Sequence, residues 1–94
     1  MQSKVICIGS VLIDELFFCD HAVIPETSNP ASMKRGIGGV VGNISRHLSM
    51  LGVDEELITV LGKDADAAWI REDFERLGIQ FTNSIETTQP TGRF

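Results

Sequence analysis

The sequence predicts an α/β fold built on a parallel sheet, and three observations support this. The chain has 94 residues, with 43% hydrophobic and 22% charged residues, so it has room for one small globular domain. Short apolar runs such as KVICIG and ELITVLG are typical of strands that are buried on both faces. Segments with helical periodicity separate these runs, and this alternation indicates right-handed strand–helix–strand crossovers.

The first strand is predicted in KVICIG and ends at Gly9. The segments ELFFCD and MKRGI are interpreted as two short antiparallel strands, separated by the turn-rich loop PETSNPAS. A helix follows, and Gly52 stands where a left-handed residue ends a helix. Its apolar stripe, spaced by three or four residues, consists of Val40, Val41, Ile44, Leu48 and Leu51.

The run ELITVLG is the next predicted strand, and Asp64 is placed to cap a second helix. The apolar stripe of this helix consists of Ala67, Ile70, Phe74 and Leu77, and Gly78 closes it. Strand and loop follow in IQFTNSIETTQ. Two helices and three core strands are too few to cover both faces of such a sheet. We therefore expect that the chain either associates or is part of something larger.

Charge and cysteine content exclude several classes of function. The net charge is −5, and Lys and Arg do not cluster, which argues against nucleic-acid or acidic-membrane partners. No apolar run reaches membrane-spanning length, and the N-terminus lacks a signal-peptide pattern, so we expect a cytoplasmic protein. Cys7 and Cys19 have no CxxC spacing and are predicted to be buried, reduced thiols.

The segment RGIGGVVGNISRHLSMLG combines a glycine-rich turn with a helix start. A Walker phosphate loop requires Lys followed by Ser or Thr, which is absent here. A dinucleotide fingerprint requires GxGxxG after a buried strand, whereas Gly36, Gly38 and Gly42 give GxGxxxG after NPASMKR. Two interpretations remain: a tight structural turn with a simple helix cap, or a turn that lets a small ligand approach the backbone.

Two polar residues favour the ligand interpretation. Asn43 in the first helical turn carries an amide that both donates and accepts hydrogen bonds, which suits a polyol. Asp14 follows the first predicted strand, at the carboxyl end where open α/β sheets bind ligands. A carboxylate there can accept hydrogen bonds from two adjacent hydroxyls. Either residue alone also has an ordinary structural explanation, as a cap or a solvated turn residue.

Four segments, GSVLID, GGVVGNISRHLSMLG, LITVLGKDADAAWIREDFERLGI and PTG, occur in an order that resembles the N-terminal part of the ribokinase-like (PfkB) carbohydrate kinase family. The similarity covers nearly the whole chain. The paired glycines, the Asn and the helix that ends in LG, followed by a segment similar to G-x-D-x-x-G, form a specific signature. The later segment GKDADA has Ala67 where the family often has glycine.

The resemblance implies a partial parallel Rossmann-like (ribokinase-like) sheet flanked by helices, with a small β lid in residues of about 15–37 and from about 88. It assigns substrate binding to Asp14, Gly38, Gly39 and Asn43. It assigns no catalytic, cofactor-binding or metal-binding residue to this chain. The lid strands of the family often form a dimer interface, so we expect a homo-oligomer that forms through these strands or through the exposed sheet face.

Members of the family transfer phosphate from ATP, with Mg²⁺, to a substrate hydroxyl, mainly by positioning and charge stabilisation. Their catalytic Asp lies in a GAGD motif of the C-terminal half, which also supplies most of the nucleotide site. GAGD does not occur in this sequence. We therefore expect residues 1–94 to be the N-terminal portion of a ribokinase-like domain without the nucleotide-binding half. On this hypothesis the chain alone is inactive and binds neither ATP nor Mg²⁺.

The sequence departs from family patterns in ways that bear on the substrate. Ribokinases usually have Lys where this chain has Val40, which weakens the case for ribose. ETSNPA together with GGV resembles pseudouridine and nucleoside kinases, although these often carry Arg where this chain has Gly42. A small sugar or a nucleoside is thus expected. The alternative is a stand-alone ligand-binding or dimerisation module, or a truncated non-catalytic gene product.

Overall fold

The structure is a computed structural model that describes residues 3–94; residues 1 and 2 lie outside the described range. The elements, in chain order, are β1 (Val5–Ile8), β2 (Leu12–Phe18), β3 (Ser32–Gly38), α1 (Val40–Met50), β4 (Glu55–Ile58), β5 (Val60–Leu61), α2 (Ala65–Arg76) and β6 (Ile85–Glu86). β1 pairs with β4 and β5 pairs with β6, both in parallel. The predicted α/β class with parallel strands is therefore confirmed.

Helical crossovers connect both parallel pairs, α1 between β1 and β4, and α2 between β5 and β6. The run ELITVLG, predicted as one strand, is interrupted at Thr59. The N–H of Thr59 donates to the Oγ of Ser84 (3.1 Å), while its carbonyl accepts from the N–H of Ile85 (2.9 Å). A side chain therefore takes the place of a backbone partner at this position.

β2 and β3 form an antiparallel ribbon, in register from Leu12 opposite Gly38 to Phe18 opposite Ser32. Gly92–Phe94 runs along the other edge of β2, where the N–H of Phe94 donates to the carbonyl of Ile13 (2.9 Å). We call β2, β3 and Gly92–Phe94 the lid. The radius of gyration is 16.2 Å, against about 12 Å for a compact chain of this length, because the ribbon projects from the body.

Asp14 lies inside β2, whereas the sequence predicted that the first lid strand begins at about residue 15. β2 starts earlier because Leu12 and Ile13 already pair with β3 and Ile13 also pairs with the segment at Arg93. Asp14 therefore belongs to a strand and not to the loop after β1.

The core lies on one side of the parallel strands. The buried apolar side chains are Cys7, Val11, Ile13, Leu57, Leu61, Ala67, Ile70, Phe74, Ile79 and Phe81. The opposite side carries exposed side chains of Ile6, Ile8, Val60 and Ile85, and we call it the outer sheet face. The two helices of the described residues thus cover one face, as the sequence suggested.

The predicted apolar stripe of α1 is correct for Val41 and Leu48, which pack against the core, and wrong for its other three residues. Val40, Ile44 and Leu51 are exposed, and the fully buried positions of the helix are Gly42 and Ser45. The N–H of Gly42 donates to the carbonyl of Ser10 (3.1 Å). The hydroxyl of Ser45 donates to the buried carboxylate of Glu55 in β4. The inward face of α1 thus combines the small residues Gly42 and Ser45 with Val41 and Leu48.

The helix ends agree better with the predictions. Asp64 caps α2 and accepts from the N–H of Ala67 (2.9 Å). Gly52 and Gly78 both adopt the left-handed conformation after their helices, with φ of 76° and 79°. Leu77, at the end of the predicted α2 stripe, is 37% exposed. Neither helix in residues 3–94 is long and apolar enough to cross a bilayer.

The prediction for the cysteines is correct for Cys7 and wrong for Cys19. Both are free thiols, and only Cys7 is buried. Burial raises the pKa of the Cys7 thiol, and the nearby Glu55 carboxylate raises it further. Cys19 is exposed because it follows the end of β2, where the lid strands no longer pack on the body.

Candidate functional site

Asp14 is the third residue of β2 and lies opposite Gly36 of β3. Side chains alternate along a strand, so Asp14 leaves the ribbon on one face while Ile13 and Glu15 leave it on the other. The Asp14 side chain is partly buried. It takes part in none of the ion pairs within residues 3–94, whereas Glu15 pairs with Arg93 at 3.2 Å. Its carboxylate therefore has no cationic side-chain partner within the described residues.

Gly38 supplies the space that the Asp14 carboxylate occupies. Its register partner is Leu12, two residues before Asp14 on the same face of the ribbon. A Cβ at Gly38 would overlap the Asp14 carboxylate and would lie 2.7 Å from its Cγ. The structure thus brings together two of the residues that the resemblance assigned to the substrate.

The backbone conformation at position 39 accounts for the glycine found there. Gly39 caps the start of α1 with φ of 91° and ψ of 149°, a conformation that favours glycine. A Cβ there would lie 2.5 Å from the carbonyl oxygen of Ser10 and 3.1 Å from the Cα of Val11. The tight-turn interpretation therefore accounts for Gly39 without a ligand.

Asn43 does not cap the helix. The capping position belongs to Gly39, and no side chain within the described residues caps α1. The Asn43 N–H donates to the Gly39 carbonyl (3.0 Å) as an ordinary helical hydrogen bond. The Asn43 side chain is exposed, one helical turn beyond the paired glycines. The simple capping explanation for this residue is thus wrong, and its amide faces solvent.

These side chains are suited to hydroxyl groups. The Asp14 carboxylate is an acceptor, and the Asn43 amide is both donor and acceptor. A hydrogen bond from a hydroxyl to a carboxylate is charge-assisted and stronger than one between neutral groups. Within the part of the chain that the structure describes, no three His, Cys, Asp or Glu side chains converge to hold a metal ion. Each of the two side chains can therefore hydrogen-bond to a hydroxyl group.

An apolar hollow of about 440 Å³ lies at the carboxyl ends of β1 and β4. Its walls include Ile8, Ile58, Val60 and Ile85, together with the Ser10–Leu12 segment. None of the four predicted site residues lines it. Because its apolar walls belong to the outer sheet face, we assign the hollow to that face and not to the four predicted site residues.

Sequence reasoning missed a cluster of ion pairs on the opposite face of the lid. Asp66 in the first turn of α2 pairs with Arg35 of β3 at 2.6 Å and with Arg93 at 2.9 Å. The hydrogen bond from Arg35 is the main cause of the lowered pKa of Asp66; burial opposes it, and Arg93 adds to it. The only sequence signal was an acidic residue in the first helical turn.

The adjacent Asp64 does more than cap α2. Its carboxylate also accepts from the hydroxyl (2.6 Å) and the N–H (2.8 Å) of Thr91. These bonds from Thr91, followed by the one from the Ala67 N–H, lower the pKa of Asp64 to about 2. The start of α2 therefore holds the segment that continues into the lid at Gly92.

Comparison with known proteins decides the family. The sequence profile of the pfkB family carbohydrate kinases matches residues 2–94. The chain belongs to this family. The predicted relationship is thereby confirmed, and so is the ribokinase-like fold, since the structure superimposes on a ribokinase from Thermotoga maritima with a TM-score of 0.82 at 28% identity.

Two of the relatives of this chain are bifunctional proteins. The chain is 28% identical over 96 residues to the bifunctional protein HldE of Nitratiruptor sp., with 97% of this chain and 20% of that protein covered. It is 29% identical over 84 residues to a pseudouridine-metabolizing bifunctional protein of Schizosaccharomyces pombe, with 85% of this chain and 11% of that protein covered. The ribokinase alignment covers 99% of this chain and 31% of the ribokinase. The chain thus spans a fifth or less of these curated relatives.

Proposed function

We propose that Asp14, Gly38, Gly39 and Asn43 bind the hydroxyl groups of a small sugar or a nucleoside in an ATP-dependent kinase. The observation that carries the proposal is the Asp14 carboxylate, which has no ion-pair partner within residues 3–94 and lies where a side chain at Gly38 would otherwise be. A hydroxyl pair bound by Asp14 gains two charge-assisted hydrogen bonds. The Asn43 amide then supplies a further donor and acceptor.

The family and the relatives support both substrate classes. The pfkB profile is that of carbohydrate kinases, one relative is a pseudouridine-metabolizing protein, and a ribokinase shares the fold. A sugar ring and a nucleoside both present adjacent hydroxyls. The reduced thiols expected from the sequence and the use of ATP are compatible with a cytoplasmic location, which forms part of the same proposal.

ATP with Mg²⁺ would supply the phosphoryl group and neutralise its charge during transfer. Because the described residues offer no cluster for a metal ion, we assign no step through Mg²⁺ to them. Their part is to hold the acceptor hydroxyl in a fixed orientation, which is a large part of catalysis in phosphoryl transfer. We propose that the 94-residue chain alone does not transfer phosphate, and ADP formation above background with D-ribose, D-fructose or pseudouridine would refute this.

The binding site is tested by thermal shift with the same three compounds. A ligand that binds only the folded state raises the melting temperature, so we expect one of the three to raise that of the wild-type chain. Asp14→Asn should abolish the rise with little change in the ligand-free melt, since no ion pair is lost. Asp20→Asn, which removes an exposed carboxylate beyond β2, is the matched control. Equal rises in wild type and Asp14→Asn would contradict the proposal.

A second candidate function is association with another copy of the chain, which exposed apolar side chains favour. Phe17 and Met33 face each other across the lid at 67% and 48% exposure, and Ile8 on the outer sheet face is 70% exposed. Sedimentation equilibrium of Phe17→Lys and Ile8→Lys separates the two surfaces, because a charge at the contact should dissociate the oligomer. A wild-type chain that is monomeric at all concentrations would exclude this function.

A further inference from the structure

We propose that Asp66 is a positioning residue, which through Arg35 and Arg93 fixes the lid and the Asp14 carboxylate relative to α2. Asp66 occupies the first turn of α2 and is 8% exposed. One carboxylate oxygen accepts from Arg35 (2.6 Å), and the other accepts from the Nε (3.0 Å) of Arg93, whose Nη2 lies 2.9 Å away. Both oxygens are therefore bound by lid residues.

The ion pairs connect all three segments of the lid. Arg35 belongs to β3, which borders one edge of β2, and Arg93 belongs to the segment at the other edge. Arg93 also pairs with Glu15 of β2 itself, at 3.2 Å. The series Arg35–Asp66–Arg93–Glu15 thus connects the three segments of the lid to one another and to the helix.

The cluster lies on the face of the ribbon opposite the Asp14 side chain. Glu15 faces Arg35 in register, while Asp14 faces Gly36, and successive side chains point to opposite sides of a strand. Both faces belong to the same two strands. A rotation of the ribbon that breaks the ion pairs on one face therefore also displaces Asp14 on the other face. The cluster is thereby able to set the Asp14 position without touching a ligand.

The helix end that carries Asp66 is itself firmly held. Asp64 accepts two hydrogen bonds from Thr91, and the Arg35 guanidinium lies over the Trp69 ring, 5.6 Å from its centroid. A second carboxylate of α2, Asp73, also pairs with two arginines, Arg46 (2.8 Å) and Arg76 (3.2 Å). Neither of these belongs to the lid, so Asp73 provides a matched control.

Lid position is measurable without any ligand, because the chain has one tryptophan and one exposed cysteine. Trp69 reports from α2, and a dansyl-type acceptor on Cys19 reports from the outer end of the lid. Time-resolved energy transfer between them gives the distribution of lid–helix distances. Donor decays of unlabelled variants correct for any change in Trp69 emission when its Arg35 neighbour moves.

We expect a narrow distance distribution in the wild type and in Asp73→Asn, and a broader or displaced one in Asp66→Asn. Arg35→Gln removes one of the ion pairs from a less buried side chain, so it carries the test if circular dichroism shows that Asp66→Asn is unfolded. A folded Asp66→Asn chain with the wild-type distribution would overturn the proposal. Equal broadening in Asp73→Asn would also overturn it, since the effect would then be general.

The consequence for binding rests on the proposed function and has its own readout. For whichever of D-ribose, D-fructose and pseudouridine binds the wild type, affinity for Asp66→Asn should fall by about tenfold to about 100-fold, as expected when a remote change displaces a positioned group. Unchanged affinity would refute the positioning of Asp14. If none of the three binds the wild type but the distances change as expected, the sugar site fails while the role of Asp66 in fixing the lid stands.

Discussion

Gly36 and Gly38 provide a matched pair of substitutions beside the Asp14 carboxylate. Both lie on β3 and on the same face of the ribbon as Asp14. A Cβ at Gly38 would overlap that carboxylate, whereas a Cβ at Gly36 would meet no atom within 4 Å. Neither glycine has a positive φ. Gly38→Ala should therefore displace Asp14 and abolish ligand binding, while Gly36→Ala should leave both unchanged.

The stability difference between the two variants follows from the same geometry. Each gains about 0.4–1 kcal/mol from the reduced entropy of the unfolded chain, and this gain cancels in the comparison. If Asp14 escapes by rotating about χ1 to a less favourable angle, Gly38→Ala pays about 0.5–1.5 kcal/mol more than Gly36→Ala. For a domain of this size that corresponds to a gap in melting temperature of about 2–12 °C. If Asp14 cannot rotate, overpacking raises the cost to about 1–3 kcal/mol.

Differential scanning fluorimetry gives the melting temperatures, and isothermal titration calorimetry with the sugar or nucleoside that binds the wild type gives the affinities. The expected result is a lower melting temperature and no binding for Gly38→Ala, with wild-type binding for Gly36→Ala. Identical melts and identical affinities for the two variants would show that Gly38 does not hold space for the Asp14 carboxylate.

Three further predictions concern the core, the thiols and acid stability. In urea melts, Ser45→Ala should lower the free energy of unfolding by about 1–3 kcal/mol, because the buried Glu55 carboxylate loses a hydrogen bond and the second oxygen of that carboxylate already has none within residues 3–94. Ser49→Ala, on the same helix but at an exposed hydrogen bond, should lower it less. Equal losses in the two variants would contradict this prediction. Ellman's reagent should modify Cys19 in the native chain and Cys7 only after denaturation. Rapid modification of both thiols in the native chain would refute the burial of Cys7. The pKa of Asp64 falls from 3.8 in the unfolded chain to about 2 on folding, so the stability that the carboxylate contributes is present above pH 3.8 and is lost as the pH falls towards 2. Asp64→Asn should therefore flatten the dependence of the melting temperature on pH in that interval. An unchanged slope would contradict the role of the carboxylate.

Local sequence patterns were sufficient to predict the start and the buried side chains of α2. Asp64 caps α2, and Ala67, Ile70 and Phe74 form its buried stripe as the sequence predicted. The same reasoning was only partly correct for α1, where Leu48 packs against the core but Val40 is exposed and Ser45 is buried. Apolar periodicity identifies the helix but not the partner surface, and here Ser45 faces inward to meet the Glu55 carboxylate.

In the candidate site, too, the sequence indicated individual residues but not the contacts between them. The resemblance pointed to Asp14 and Gly38, but their contact depends on the register of β2 and β3, which no local pattern specifies. The Asp66 cluster was not predictable because Arg35 is 31 residues away from Asp66 in sequence. Such long-range ion pairs arise only once the lid folds back onto α2.

The most direct test of the proposed sugar site is an NMR titration of the ¹⁵N-labelled chain with D-ribose, D-fructose and pseudouridine. We expect one of these compounds to shift the amide signals of Asp14, Gly38, Gly39 and Asn43 in a saturable manner, and we expect Asp14→Asn to remove these shifts. If none of the three shifts these four signals, or if the shifts are confined to Val60 and Ile85 at the apolar hollow, the assignment of the site is wrong.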